Sequence, residues 1–295
     1  MIIDGQEGVT AAVLEAMTRT TDPRLRQVMD ALVRHLHAFI REVQPSEAEF
    51  EHGVEFLAAI GKACSDTHNE AVLFSDAIGA STLVCLLNNG QDGATETAAA
   101  LLGPFWRDNS PETPDGGSII RSATPGAPLF ARGRVRGPDG VPVTGARVDV
   151  WQAAPTGMYE NQDPAQSDMN LRGRFTTDAE GQFRFISVRP AGYPVPTHGP
   201  VGELLRAQQR HPYRPAHLHF LIHKPGFKTL VTQVFVDDDE HLESDVVFGV
   251  TRALVGGFER HDGPAPGGGA GEWFSLDYSF TLEPGEARLP RPPIA

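Results

Sequence analysis

Arg214-Pro-Ala-His-Leu-His-Phe-Leu-Ile-His223 is the stretch on which the fold of this chain turns. Residues 217–223 carry no helix punctuation and read as a strand. Side chains alternate along a strand with a period of two, so His217 and His219 share one face. Working outward, Leu230–Val236, Gln182–Val188, Ala146–Trp151 and Ala131–Arg136 read as further strands. Turn signals such as Pro138-Asp139-Gly140 and Glu180-Gly181 separate several of them. Regularly spaced strands without intervening helices predict an antiparallel sandwich or barrel.

The first hundred residues follow a different period. Asp22 before Pro23 predicts an N-cap with proline at the first helical position. Leu25, Val28, Met29, Leu32, Leu36, Phe39 and Ile40 then form one apolar stripe. Gln44-Pro45 ends that helix, and Ser46 with Glu49 makes a capping box for the next, whose stripe is Phe50, Val54, Leu57 and Ile60. A third helix is expected over residues 68–87, ending at Asn88-Asn89-Gly90. Residues 101–130 are rich in Pro, Gly and Asp and read as a long ordered linker. The proline-rich tail from Pro284 reads as an extended arm or a disordered end. The fold class expected is α+β, with a helical N-terminal domain over 1–105, a linker to about residue 130, and a β-sandwich domain over 106–295.

Composition narrows the function. The chain has 295 residues, 40% of them hydrophobic, which is typical of a globular protein with a core. A formal charge of −13 argues against nucleic acid as a partner, because phosphate binding needs a basic face. No apolar run reaches the ~18 residues that a membrane span requires, so no membrane insertion is expected. Cys64 and Cys85 stand far apart in helix-like segments, and MIIDGQEGVT lacks the basic and apolar regions of a leader; both features fit the cytoplasm. No GxSxG nucleophile elbow is present, and Gly267-Gly-Gly269 is not followed by Lys-Ser/Thr, so neither a serine hydrolase nor a phosphate loop is indicated. Asp237-Asp-Asp-Glu-His241 lacks calcium-loop spacing and reads as a solvated acidic turn.

Two imidazoles aimed at one point are a common start for a transition-metal site. Two of the chain's four tyrosines, Tyr159 after Gly157-Met158 and Tyr193 before Pro194, sit in turn contexts upstream of the histidine pair. Phenolate is a hard anionic donor, so a Tyr2His2 set suits ferric iron better than zinc. Plainer readings stand beside this one: a His-x-His on a strand is often a solvated face, and tyrosines in a β domain are often core or corner residues.

Longer motifs then bear on the choice. Gly133-Arg-Val-Arg-Gly-Pro-Asp-Gly140, Pro142-Val-Thr-Gly-Ala-Arg-Val-Asp-Val-Trp-Gln152, Gly157-Met-Tyr159, Leu171-Arg-Gly-Arg-Phe-Thr-Thr-Asp178 and Arg214-Pro-Ala-His-Leu-His-Phe220 together resemble the signature of intradiol ring-cleavage dioxygenases. Leu73-Phe-Ser-Asp76 and Leu102-Gly-Pro-Phe105 are similar to the catechol branch of that family. Tyr193 to Leu205, Gln209-Arg-His211 and Val246-Val-Phe-Gly-Val250 resemble its hydroxyquinol 1,2-dioxygenases. His198, where that group has an acidic residue, and Phe74, where it has an aliphatic one, depart from the pattern.

The resemblance implies an enzyme in which Tyr159, Tyr193, His217 and His219 hold one Fe(III) per subunit. By the same resemblance Tyr193 and His219 are axial and Tyr159 and His217 equatorial. It implies Arg214 and Gln233 as catalytic neighbours, and Leu73, Asp76, Leu102, Gly103 and Pro104 as substrate contacts. The substrate would be hydroxyquinol, an aromatic triol, cleaved with O2 between its ortho hydroxyls; catechol or a substituted catechol is the alternative diol. A non-catalytic β-sandwich binding module is the third reading, against which the intact four-residue set counts. Asp76 has its own pair of readings, a helix cap or an acceptor for the third ring hydroxyl. The resemblance further implies a homodimer through the N-terminal helices, with lipid bound between them.

Overall fold

The computed structural model describes residues 2–66, 68–88 and 96–294. Contacts divide the chain after Ala58 into two compact units. In the first, α1 (Gln6–Met17) packs on α2 (Pro23–Val43), and Arg41 donates to Thr10 Oγ1 at 2.6 Å. The capping signals act as the sequence predicts. The Asp22 carboxylate accepts the N–H groups of Arg24 and Leu25, and Gln44 closes α2 in the left-handed region at φ 50°. Ser46 and Glu49 exchange hydrogen bonds at the start of α3 (Glu47–Ala63). α1 has no comparable stripe, which is why its sequence gave no notice of it. Along α2, Leu25, Val28, Leu32, Leu36 and Phe39 remain 46% to 56% exposed.

In the second unit the single helix expected over 68–87 is two, α4 (Glu70–Ala77) and α5 (Ala80–Asn88), bent 77° to each other. Gly79, at φ 75°, turns the chain between them and donates its N–H to Asp76 O at 2.9 Å. The apolar spacing runs on through that corner, so periodicity alone cannot see it. The expected end at Asn89-Gly90 lies outside the described residues. Among the described residues no single helix is long and apolar enough to cross a membrane.

Among the described residues twelve strands follow: β1 (Gly117–Ser118), β2 (Pro128–Arg136), β3 (Arg147–Trp151), β4 (Arg172–Thr176), β5 (Gln182–Val188), β6 (Tyr193–Pro194), β7 (Tyr213–Arg214), β8 (His217–His223), β9 (Leu230–Val236), β10 (Val255–Gly256), β11 (Phe258–Pro264) and β12 (Ala270–Thr281). A sixth helix, α6 (Pro200–Ala207), lies between β6 and β7. One sheet has the order β1-β5-β2-β12-β11, the other β10-β9-β8-β3-β4, and β6 pairs only with β7. The sheets are mixed rather than purely antiparallel. β12 comes back from its hairpin with β11 to run parallel to β2, and β1 and β10 are short parallel edges. Gly267-Gly-Gly269 is the tip of that hairpin, with Gly268 and Gly269 at positive φ.

The two sheets close on one aromatic-rich core. Phe183, Phe185 and Phe280 from one face Phe175 and Phe220 from the other, and the rings of Phe220 and Phe280 are 4.9 Å apart. Residues 101–127 run largely without regular structure but bury Phe105, Trp106 and Ile119, and the tail after Pro284 is an extended arm whose Ile294 packs with Phe105, Trp106 and Trp151.

Gly133 in β2 sits opposite Phe183, and a methyl group at that position would fall inside the Phe183 ring. Overpacking of this kind costs about 2 kcal/mol. Gly133→Ala should therefore lower the thermal unfolding midpoint by several degrees; an unchanged midpoint would mean the ring moves aside freely.

Candidate active site

β8 lies inside its sheet between β3 and β9, and sends Leu218, Phe220 and Ile222 into the core. Alternation puts His217 and His219 on the opposite side. Their Nε2 atoms are 3.1 Å apart. His217 Nδ1 lies 2.7 Å from the Pro215 carbonyl oxygen, so Nδ1 carries the hydrogen and Nε2 presents its lone pair. Trp151, in register with His219, stacks on it at 4.6 Å and 9°. Gly103, at φ 72°, lets the backbone pass His219, and a Cβ there would stand 3.4 Å from the ring.

The phenols arrive from two turns. Tyr159 follows Gly157, whose φ of 93° closes a tight turn. Tyr193 opens β6 and pairs in register with Arg214 of β7. Their hydroxyl oxygens are 3.2 Å apart, with rings edge to face. Phe105 packs 4.5 Å from the Tyr159 ring, and the buried Arg172 guanidinium lies 5.9 Å from its centre. Arg214 is buried too. It donates to both oxygens of Asp245 at 3.2 Å and to Gln233 Oε1 at 2.9 Å, while its Nη1 lies 3.2 Å from His217 Nε2. Gln233, paired in register with His219, donates in turn to Leu101 O at 2.7 Å.

Burial and the Arg214 charge hold His217 neutral, its pKa pushed down to about 3, and burial with His217 beside it pushes His219 well down. Burial, then Tyr193, pushes the Tyr159 phenol well above its ordinary value. Burial opposes the charge on Arg214, but the Asp245 carboxylate more than offsets this. Two neutral imidazole nitrogens and two phenol oxygens thus meet at one buried place. A small, highly charged cation would reverse the penalty on the Tyr159 phenol, accept the second phenol oxygen and use both nitrogen lone pairs, so the donor set fits a hard trivalent metal.

These groups border a cavity of about 30 Å³, whose wall includes Leu73, Asp76, Gly103, Pro104, Tyr159, Tyr193, Arg214 and His219. Leu102 does not face it; Leu101 does, because Leu102 turns toward the cluster around Phe105 and Trp106. His217 and Gln233 stand behind the wall. Sequence reasoning missed Val195, Pro196 and Val247 in the wall, since only the fold brings these apolar residues together. It also missed Asp245, which the sequence shows only as the last of a run of acidic residues ahead of the apolar Val246 and Val247. The two departures noted in the sequence lie off the wall. Phe74 packs against the cluster around Leu73 and Val201, and exposed His198 approaches His68, ring centres 5.3 Å apart. The Asp237–His241 turn is structural rather than merely solvated, because Asp239 accepts Ala216 N–H at 3.0 Å just ahead of β8. An open groove of about 810 Å³ lies elsewhere, over Phe130, Arg132 and Asp277 on the outside of the other sheet.

Two family descriptions match this chain, "Catechol dioxygenase N terminus" over residues 22–96 and "Dioxygenase" over residues 101–284. The chain belongs to the intradiol ring-cleavage dioxygenases, in their catechol branch. Hydroxyquinol 1,2-dioxygenase of Rhizobium sp. (strain MTP-10005) is 42% identical to it, covering 94% of this chain and 95% of that one. Catechol 1,2-dioxygenase of Candida albicans (strain SC5314 / ATCC MYA-2876) is 36% identical, covering 94% and 92%. The crystal structure of hydroxyquinol 1,2-dioxygenase from Pseudomonas putida DLL-E4 superposes with a TM-score of 0.87 at 38% identity, covering 95% and 99%.

Asp76 is not an N-cap: Asn69 fills that position on α4, and Asp76 lies buried near the other end. Burial raises its pKa to about 6, against the Ser81 hydrogen bond and the Arg214 charge. A carboxyl with a raised folded pKa contributes stability that is complete below its ordinary value of 3.8 and lost as pH rises through about 6. The ionised form then costs about 3 kcal/mol. In metal-free protein, Asp76→Asn should raise the unfolding midpoint at pH 8 and lose that advantage by pH 4; a difference independent of pH would contradict the assignment.

Proposed function

We propose that this chain cleaves hydroxyquinol (1,2,4-trihydroxybenzene) between its ortho hydroxyls, with O2 and one Fe(III) per subunit. Both oxygen atoms enter the product, 3-hydroxy-cis,cis-muconate, which tautomerises to maleylacetate. The observation that carries the reading is the meeting of two phenols at 3.2 Å and two imidazoles at 3.1 Å beside a cavity walled in part by the Asp76 carboxylate. Relatives named for hydroxyquinol, at 41–42% identity, support the triol over catechol.

Tyr159, Tyr193, His217 and His219 would hold the iron. Bound there, a ferric ion supplies the Lewis acidity that lets a vicinal diol lose both hydroxyl protons and react with dioxygen. The protein's own groups do the rest. The cavity is smaller than the ~150 Å³ that holds a benzene ring, so a wall group must move to admit the substrate. Tyr193 is the mobile group in this reading, since it stands on a ribbon of only two strands. Ionised in the loaded site, Tyr193 would take one diol proton on its Oη as it swings away, and water would carry off the other. Arg214, permanently charged and planar, stabilises the negative charge that develops on the ring and its oxygens. Gln233 accepts one hydrogen bond from Arg214 Nη2. Leu73, Leu101, Pro196 and Val247 keep water from the reacting atoms, and Asp76 accepts a hydrogen bond from the third hydroxyl.

A buried acceptor built for a hydroxyl discriminates against analogues that lack it. Asp76→Ala should lower kcat/KM for hydroxyquinol on the order of 10²-fold or more while changing the value for catechol only slightly. Equal losses on both substrates would remove Asp76 from the specificity, and a wild type that prefers catechol would move the substrate to the simple diol.

The chain also forms a homodimer in this reading, through its N-terminal helices. The exposed apolar stripe of α2, extended on α3 by Phe50, Val54 and Leu57, supports it, because an uncovered stripe of this length marks a protein contact. Light scattering should give twice the chain mass of 31.9 kDa; a mass of 31.9 kDa alone would refute the dimer.

A further inference from the structure

The geometry points to Asp245 as a positioning residue for ring cleavage: its carboxylate fixes the plane of the Arg214 guanidinium and, through the same two oxygens, the segment that carries Val247 into the cavity wall. The assignment rests on the proposed dioxygenase reading and deepens it.

The hydrogen bonds of this carboxylate divide evenly. Oδ1 accepts Arg214 Nε–H at 3.2 Å and Val247 N–H at 3.3 Å. Oδ2 accepts Arg214 Nη2–H at 3.2 Å and Gly249 N–H at 2.9 Å. One edge of the guanidinium is therefore held by a two-point contact, which stops rotation about the Cδ–Nε bond. Gln233 alone, with its single bond to Nη2, would leave that rotation free. What remains is Nη1, aimed at His217 and the site. The backbone closes over the pair. A Cβ on Gly249 would come within 3.0 Å of Arg214 Nη2 and 3.2 Å of Asp245 Oδ2. Between these contacts Phe248 takes a left-handed conformation, φ 57°, and donates its N–H back to Asp245 O at 3.0 Å. That turn presents Val247 to the cavity. Among the described residues the other buried acids are Glu70, Asp76, Asp149 and Glu160; Glu70, Asp149 and Glu160 hydrogen-bond to groups other than Arg214, and Asp76 bonds Ser81 and feels Arg214 only through its charge.

The test compares iron-loaded wild type, Asp245→Asn, Arg214→Met, the double variant and Gly249→Ala, measuring iron content, kcat, KM and thermal unfolding. Asp245→Asn should keep its iron and KM and lose kcat on the order of 10²-fold, the scale set by misaiming a charged group by about 1 Å. In the Arg214→Met background the same substitution should cost kcat no more than about twofold, since no guanidinium is left to aim. Equal losses in both backgrounds, as a purely structural role would give, overturn the proposal, and so does a wild-type kcat in Asp245→Asn. Should Asp245→Asn not fold, Gly249→Ala decides: it displaces the pair without removing charge, and a kcat drop of roughly tenfold with iron retained is expected, whereas a wild-type kcat overturns the proposal. A wild type that cleaves catechol but not hydroxyquinol would overturn the substrate reading alone, and the same cycle then runs on catechol.

Discussion

Burying lone pairs away from bulk water is the constraint on which the catalytic half of this protein depends. An unpaired buried polar group is costly, and the site gathers four donors that face chiefly one another. The two histidines stay in place because their sheet fixes them before any ligand does. His219 is held between Trp151 on one neighbouring strand and Gln233 on the other, and His217 is oriented by its bond to Pro215 O. Tyr193 is tied to Arg214 by strand pairing, and Tyr159 by the turn at Gly157. Preorganisation of this kind lets a site impose its geometry on a metal rather than adapt to it.

Charge is managed by the same economy of contact. The Arg214–Asp245 pair is buried and fully hydrogen-bonded, which is the condition under which a buried pair is tolerated. Arg172 and Glu160 form a second such pair below Tyr159, although Glu160 Oε2 and Arg172 Nη2 find no partner among the described residues. Asp76 lies close enough to Arg214 to feel its charge but has no ion-pair contact with it, and burial dominates its titration. It keeps a hydrogen bond to Ser81 and borders the cavity without an arginine partner.

Much of this was legible in the chain. Gln182–Val188, His217–His223 and Leu230–Val236 are strands with those very ends, because each is a short apolar run bounded by turn residues. The Asp22 and Ser46–Glu49 caps were readable because capping is local chemistry. What escaped was non-local. The break at Gly79 interrupts an apolar spacing that continues through it, and β11 is the polar run Glu259-Arg-His-Asp262 leading into a glycine tip that resembles a loop. Strand direction, which makes the sheets mixed, is a matter of topology. At the site, His217 and His219 announced themselves by spacing, whereas Asp245, 31 residues from Arg214, could be found only by folding the chain. The change of composition near residue 100 marks where helices give way to strands, while the contacts divide the chain at Ala58.

An anaerobic titration of iron-loaded protein with hydroxyquinol and with catechol, followed in the visible spectrum, tests the central claim most directly. Two tyrosinate ligands on ferric iron should colour the resting protein red-brown, and a chelating diol should move the band to longer wavelength. That shift is expected at low hydroxyquinol and only at high catechol. A protein that stays colourless after iron reconstitution would contradict the Tyr159, Tyr193, His217 and His219 site itself.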